Sequence, residues 1–147
     1  MIFVTVGTTQ FDELVKAIDK IAPELNEEVI IQTGKSIFVP KNCKYFTFDD
    51  DLFKFFEKAN LIIAHGGAGI TFEVLSLGKK LISVDNPHVL DGHQGDLLGK
   101  LYQDGYLLWC KDLDKIDNCI NYAREMNTKK YENRGCDIGR MITGWLE

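Results

Sequence analysis

His65-Gly66-Gly67-Ala68-Gly69-Ile70-Thr71-Phe72-Glu73 is the stretch on which the reading of this chain turns. Leu61-Ile62-Ile63-Ala64 leads into it, a branched apolar run that closes at His65 and reads as a buried strand. Glycines then free the backbone to turn. A helix is expected to begin near Ala68 or Gly69 and to cover 70–77, with Gly78 placed to terminate it. Strand, glycine turn and helix in that order aim the unpaired N–H groups of a helix N-terminus beyond the strand end. Such an end suits a diphosphate. His65 is expected to donate a hydrogen bond to the same phosphates. Glu73, about one turn into the helix, offers two acceptor oxygens that match the paired hydroxyls of a ribose. Singly, these residues have plainer readings: a glycine cap, a satisfied histidine, a solvated glutamate. Their combined spacing favours a site.

Working outward, short apolar runs alternate with helical patterns. Residues 2–6, 29–31 and 81–84 repeat the signature of buried parallel strands, 44–48 is a more mixed fifth strand, and 106–110 a sixth. Between them, 11–21 sets Phe11, Leu14, Val15, Ile18 and Ile21 on one helical face. Short helices are expected over 50–58 and 93–103, and another near 113–126. The order predicts a doubly wound, mostly parallel, Rossmann-like α/β sheet with helices on both faces. All 147 residues fit a single domain. Residues 128–147 are expected to form a C-terminal helical extension, with Ile138, Met141, Ile142 and Trp145 at helical spacing. Gly135, Gly139 and Gly144 weaken that helix on its own, so it should pack on its own domain or on a partner.

Ligands of open α/β sheets bind beyond the C-terminal strand ends. Two further loops fall there. Gly7-Thr8-Thr9-Gln10 follows the first strand; its small residues let a ligand approach the backbone, and Thr8 or Thr9 is placed to cap the next helix. It lacks the features of a P-loop and the full dinucleotide fingerprint. Residues 85–94, Asp-Asn-Pro-His-Val-Leu-Asp-Gly-His-Gln, gather hydrogen-bonding groups of the kind a sugar ring needs. His88 and His93 with Asp91 do not make a convincing metal set, since further ligands are not evident. No metal and no cofactor are expected.

Composition narrows the class. A net charge of −5, with the 17 basic residues scattered, argues against a nucleic-acid partner but not against a small phosphate ligand held by amides. Four widely spaced cysteines form neither a disulfide framework nor a zinc pattern. No apolar run reaches membrane-spanning length, and the N-terminus reads as a strand rather than a signal peptide. A cytoplasmic location is expected.

On these residues the chain resembles the C-terminal domain of glycosyltransferase family 28 and its GT-B relatives. His65-Gly-Gly-x-Gly through Glu73, then Gly78, then Asp91-x-His93-Gln94 occur in the family's order. Residues 3–8 look like the start of its small stand-alone members, which act in dolichol-linked glycan, exopolysaccharide and capsule assembly. The resemblance implies that His65 with the backbone of Gly66, Gly67, Ala68 and Gly69 faces the diphosphate of a UDP-sugar, and that Glu73 binds its ribose. It implies Asp91, His93 and Gln94 near the transferred sugar and Gly7 and Thr8 in the cleft floor. Uracil would lie near the backbone after Phe46, around Phe48.

A complete GT-B enzyme has a second domain for the acceptor, so the resemblance also implies a membrane-associated partner subunit carrying a lipid-linked saccharide. Through it the chain would sit at the cytoplasmic face of a membrane. The expected activity is inverting hexosyl transfer from the UDP-sugar to a polyprenyl-diphosphate-linked glycan, with His93 a candidate base unless the partner supplies one. The rivals are a non-catalytic nucleotide-sugar-binding regulatory subunit, a UDP-sugar epimerase and a structural Rossmann-like subunit.

Overall fold

The computed structural model describes residues 1–85 and 99–125. Six strands, β1 (Ile2–Thr5), β2 (Val29–Gln32), β3 (Lys44–Phe46), β4 (Leu61–His65), β5 (Lys80–Val84) and β6 (Leu108–Cys110), form one sheet in the order β3-β2-β1-β4-β5-β6. Every pairing is parallel. Burial follows position. β1 and β4, both central, are buried along their whole length, whereas β3 at the edge is largely exposed, which is why its sequence is mixed.

Among the described residues the α-helices are α1 (Asp12–Ile21), α2 (Phe53–Lys58), α3 (Ala68–Ser76), α4, described over 99–103, and α5 (Ile116–Glu125). They divide between the two faces. Leu14, Val15 and Ile18 of α1 and Ile116, Ile120 and Ala123 of α5 pack with Val4, Ile31, Ile63 and Ile82 of the sheet. Phe56 of α2, Phe72 and Leu75 of α3 and Leu101 of α4 pack with Phe3, Ile62 and Leu81 on the other face. The alternation within each strand, Ile63 to one side and Ile62 to the other, is what feeds both cores. Phe3, Phe46 and Phe55 stack there, at centroid separations of 5.0 Å for Phe3–Phe55 and 4.7 Å for Phe46–Phe55.

The doubly wound sheet is thus as expected, and every described pair is parallel. Two local expectations fail. Neither Thr8 nor Thr9 caps α1: the N-cap is Phe11, whose amide donates to Ser36 Oγ at 2.9 Å, and the Thr9 hydroxyl turns back to the Val6 carbonyl at 2.7 Å. The helix expected over 50–58 begins only at Phe53. Gly78 follows α3 with φ +72°, the left-handed conformation that ends helices at glycine. The extension over 128–147 and most of the helix expected over 93–103 lie outside the described residues.

Candidate nucleotide-binding site

The chain builds the sheet outward from β1 through β2 to β3, then crosses over and builds from β4 through β5 to β6. The crevice of such a sheet opens where the two series part, between the C-terminal ends of β1 and β4. The loops leaving those two strands are the Gly7 loop and the His65–Gly67 turn.

They meet at one imidazole. Gly7 has φ +63°, and a Cβ on it would stand 2.7 Å from His65 Nε2. A Cβ on Gly67 would stand 2.7 Å from His65 Cε1. The ring is therefore held between two backbones that only glycine allows so close. His65 is 7% exposed, and both ring nitrogens are buried without a hydrogen-bond partner. Burial pushes its pKa below the usual histidine value, so the ring is neutral. In this conformation His65 lies beneath the two loops rather than at their surface.

Beyond the turn, α3 begins with Gly67 as N-cap, which has no side chain to occupy the first amides, and its first turn carries no acidic residue. The amides and their share of the helix dipole remain available to an anion. The Thr71 hydroxyl donates to the Gly67 carbonyl at 2.7 Å, tying the turn to the helix. A Cβ on Gly69 would meet nothing within 4 Å. Glu73 lies four residues on, on the same exposed helical face. Gly66, Gly67, Ala68, Gly69 and Glu73 are thereby brought to one helix end beside Gly7, with Thr8 exposed in the adjoining loop.

Sequence reasoning missed the residue that holds the cleft's other wall. Gln32, 2% exposed at the end of β2, accepts from the Gly7 amide at 2.9 Å and from the Thr5 hydroxyl. Its amide nitrogen donates to the carbonyls of Gly7 at 2.7 Å and Thr47 at 2.8 Å. One side chain therefore fixes the loop after β1 against the loop after β3, where Phe48 stands exposed. Gly34, at φ +59°, closes the same arrangement, since a Cβ there would lie 2.7 Å from the carbonyl oxygens of Gly7 and Thr9. The available signal was a lone amide ending the apolar run Val29-Ile30-Ile31.

Asp85, which opens the third loop, accepts from Trp109 Nε1 at 3.2 Å, and Lys111 Nζ lies 4.2 Å from the centroid of that indole. Asp91, His93 and Gln94 lie outside the described residues.

An open parallel sheet with a glycine turn and a bare helix N-terminus at its switch point defines a Rossmann-like α/β domain of the kind found in GT-B glycosyltransferases. A model of the glycosyltransferase family 28 C-terminal domain matches residues 1–137, and the chain belongs to that family. The human UDP-N-acetylglucosamine transferase subunit ALG13 is 36% identical over 124 residues, covering 74% of this chain and 11% of that protein. The Kluyveromyces lactis ALG13 subunit is 35% identical over 125 residues, covering 73% of this chain and 58% of the relative. The Pelagibacter ubique UDP-N-acetylglucosamine–N-acetylmuramyl-(pentapeptide) pyrophosphoryl-undecaprenol N-acetylglucosamine transferase is 29% identical over 161 residues, 92% of this chain and 45% of that enzyme. The matched region thus spans only part of each of these relatives.

Among solved structures, the solution structure of ALG13 superposes with a TM-score of 0.67 at 19% identity, covering 95% of this chain and 93% of the other. The crystal structure of Acinetobacter baumannii MurG gives 0.67 at 18% identity, covering 97% of this chain and 49% of that one. At these identities the likeness speaks for the fold.

Proposed function

We propose that this chain is the donor-binding catalytic subunit of a UDP-sugar glycosyltransferase that acts on a polyprenyl-diphosphate-linked glycan, with UDP-N-acetylglucosamine the first donor to test. The observation that carries the reading is the meeting of Gly7 and the His65–Gly67 turn at the switch point, under the open N-terminus of α3. A diphosphate would lie on the amides of residues 66–69, where the helix end offers partial positive charge without a metal. Glu73 would take the ribose hydroxyls, and Gly7 and Thr8 would line the floor. The names of the ALG13 relatives and of the Pelagibacter enzyme support the donor class and the lipid-linked acceptor.

In the proposed reaction an acceptor hydroxyl displaces UDP at the anomeric carbon with inversion. Charge develops on the leaving diphosphate in the transition state, where the α3 terminus is preorganised to stabilise it. His65 has both nitrogens buried, so it serves to space the two loops rather than to move a proton. The base is then His93 or a group of the partner, and Asp91 and Gln94 contact the sugar. The acceptor site belongs to a membrane-associated partner subunit, which would hold the complex at the cytoplasmic membrane face.

The test follows transfer of labelled N-acetylglucosamine to a polyprenyl-diphosphate-linked acceptor, with the chain alone and co-expressed with its acceptor-binding partner. Turnover only in the complex supports the proposal. Robust turnover by the chain alone would overturn the two-subunit part. Nucleotide binding without transfer in the complex would favour a regulatory subunit.

A further inference from the structure

The chain from β2 to β3 runs as a crossover, residues 33–43, that contains no helix, although the two strands it joins are parallel. It is nonetheless firmly held. Asp12 Oδ1 accepts from the amides of Ile37 and Phe38 at 2.7 and 2.8 Å, and the Lys35 amide donates to the Thr9 carbonyl at 3.1 Å. Asp19, buried on α1, accepts from the amides of Lys41 and Asn42 at 3.0 and 2.7 Å. Within this frame the side chains alternate. Phe38 is half-buried and Pro40 buried, while Ile37 and Val39 project outward at 78% and 55% exposure. An extended segment that has two inward positions for apolar groups, and still places two β-branched residues in water on a fixed backbone, is unlike a loop that is merely solvated.

The crossover itself carries charge of one sign. Residues 29–48 contain three lysines and no Asp or Glu, in a chain of net charge −5. Lys35 and Lys41 flank the ridge and are exposed, and Lys16 of α1 sits over the Phe38 ring, 5.6 Å from its centroid. Lys44 is paired with Glu28 and adds little. Of the acids of α1 beside it, Asp12 and Asp19 each turn Oδ1 to the crossover's own amides, Asp12 Oδ2 accepts from Gln10 Nε2 at 2.8 Å, and Glu13 is exposed.

The geometry points to direct docking of this ridge on an anionic lipid bilayer, with Ile37 and Val39 entering the headgroup boundary and Lys16, Lys35 and Lys41 facing anionic headgroups. Protein interfaces favour aromatic residues and arginine and are depleted in lysine, which is the reverse of this composition. Apolar tips rimmed by lysine match an interfacial lipid contact instead. Two small apolar side chains give a weak anchor that orients rather than retains. The inference does not depend on the donor-site reading.

The test is co-sedimentation of the full chain with phosphatidylcholine vesicles containing a minority of phosphatidylglycerol, and with phosphatidylcholine alone. The expected result is low-salt binding to the anionic vesicles, weakening as salt is added. The paired variants Ile37→Asp/Val39→Asp and Lys35→Glu/Lys41→Glu, with unchanged thermal midpoints, should each lose at least about tenfold in partitioning. If either pair shifts the midpoint, Ile37→Ser/Val39→Ser is read in its place. A wild-type chain that ignores anionic vesicles overturns the proposal and leaves the ridge as a protein contact. So does binding that the variants retain.

Discussion

His65 Nε2 lies 2.7 Å from the point where a Cβ on Gly7 would stand, so the loop after β1 and the strand β4 are in contact through an imidazole and a bare backbone. Gly7 also sits at φ +63°, where any side chain is strained. Gly7→Ala should therefore cost about 1–3 kcal/mol in stability, from strain together with displacement of the ring. Gly67 has φ −67°, so Gly67→Ala meets the ring without the backbone penalty and should cost less. Denaturant unfolding of both variants checks the order; a more stable Gly7→Ala would contradict it.

Gly69 should behave in the opposite way. It lies within α3 with open space where a Cβ would go, so Gly69→Ala should gain about 0.5–1 kcal/mol of stability. If a diphosphate rests on that backbone, the same methyl group should lower UDP affinity at least about tenfold. Thermal unfolding and nucleotide titration on one preparation measure both. A variant that is more stable and binds UDP as well as wild type would place the ligand elsewhere.

Gln32 should be among the most sensitive polar positions of the fold. Replacement by Leu strands the Gly7 carbonyl and the buried Thr5 hydroxyl proton, while the Gly7 amide keeps Thr5 Oγ1 at 3.2 Å and the Thr47 carbonyl keeps the Gly34 amide at 3.0 Å. Leaving such groups without partners costs about 1–3 kcal/mol each, so the expected loss is about 2 kcal/mol or more. Gln32→Glu keeps the acceptor but loses the donor to both carbonyls, and should lose nucleotide affinity as well as stability. Unfolding free energies within about 0.5 kcal/mol of wild type would contradict this account.

The burial of His65 has a pH consequence. Its pKa is pushed below the ordinary 6.5 in the folded protein, while the unfolded chain retains the ordinary value. Below that value the unfolded state takes up a proton that the folded state refuses. The contribution of His65 is thus complete above 6.5 and is lost progressively as the pH falls toward the folded pKa. Unfolding free energies measured on the acid side should fall with decreasing pH in wild type, and His65→Gln should remove that part of the slope. Identical slopes would show that the imidazole titrates freely.

How much of this was legible in the sequence depends on how local the cause is. The strand ending at His65, the glycine turn and the helix behind it are set by neighbours along the chain, and all three formed where the spacing placed them, α3 starting at Ala68. Gly7 was legible as a ligand-permissive turn, but its contact with His65 joins residues 58 positions apart and follows from the order of the sheet. Gln32 and Asp12 carried little sequence signal because their partners stand about 25 residues away. The expected threonine cap on α1 failed for the same reason: Ser36, from the next crossover, takes the Phe11 amide, and Thr9 is drawn back to Val6. Local chemistry indicated the turn, and tertiary pairing decided what holds it.

The measurement that tests the central claim most directly is calorimetric titration of UDP-N-acetylglucosamine and of UDP into the wild-type chain and Glu73→Ala. Glu73 is exposed on α3, so its removal should leave the thermal midpoint within about a degree or two. The account predicts that UDP binds wild type and that Glu73→Ala weakens binding by about 1.5–3 kcal/mol, the range for hydrogen bonds to a charged group. Absence of nucleotide binding to the folded wild-type chain, or equal affinity in the variant, would contradict a donor site at the end of β4.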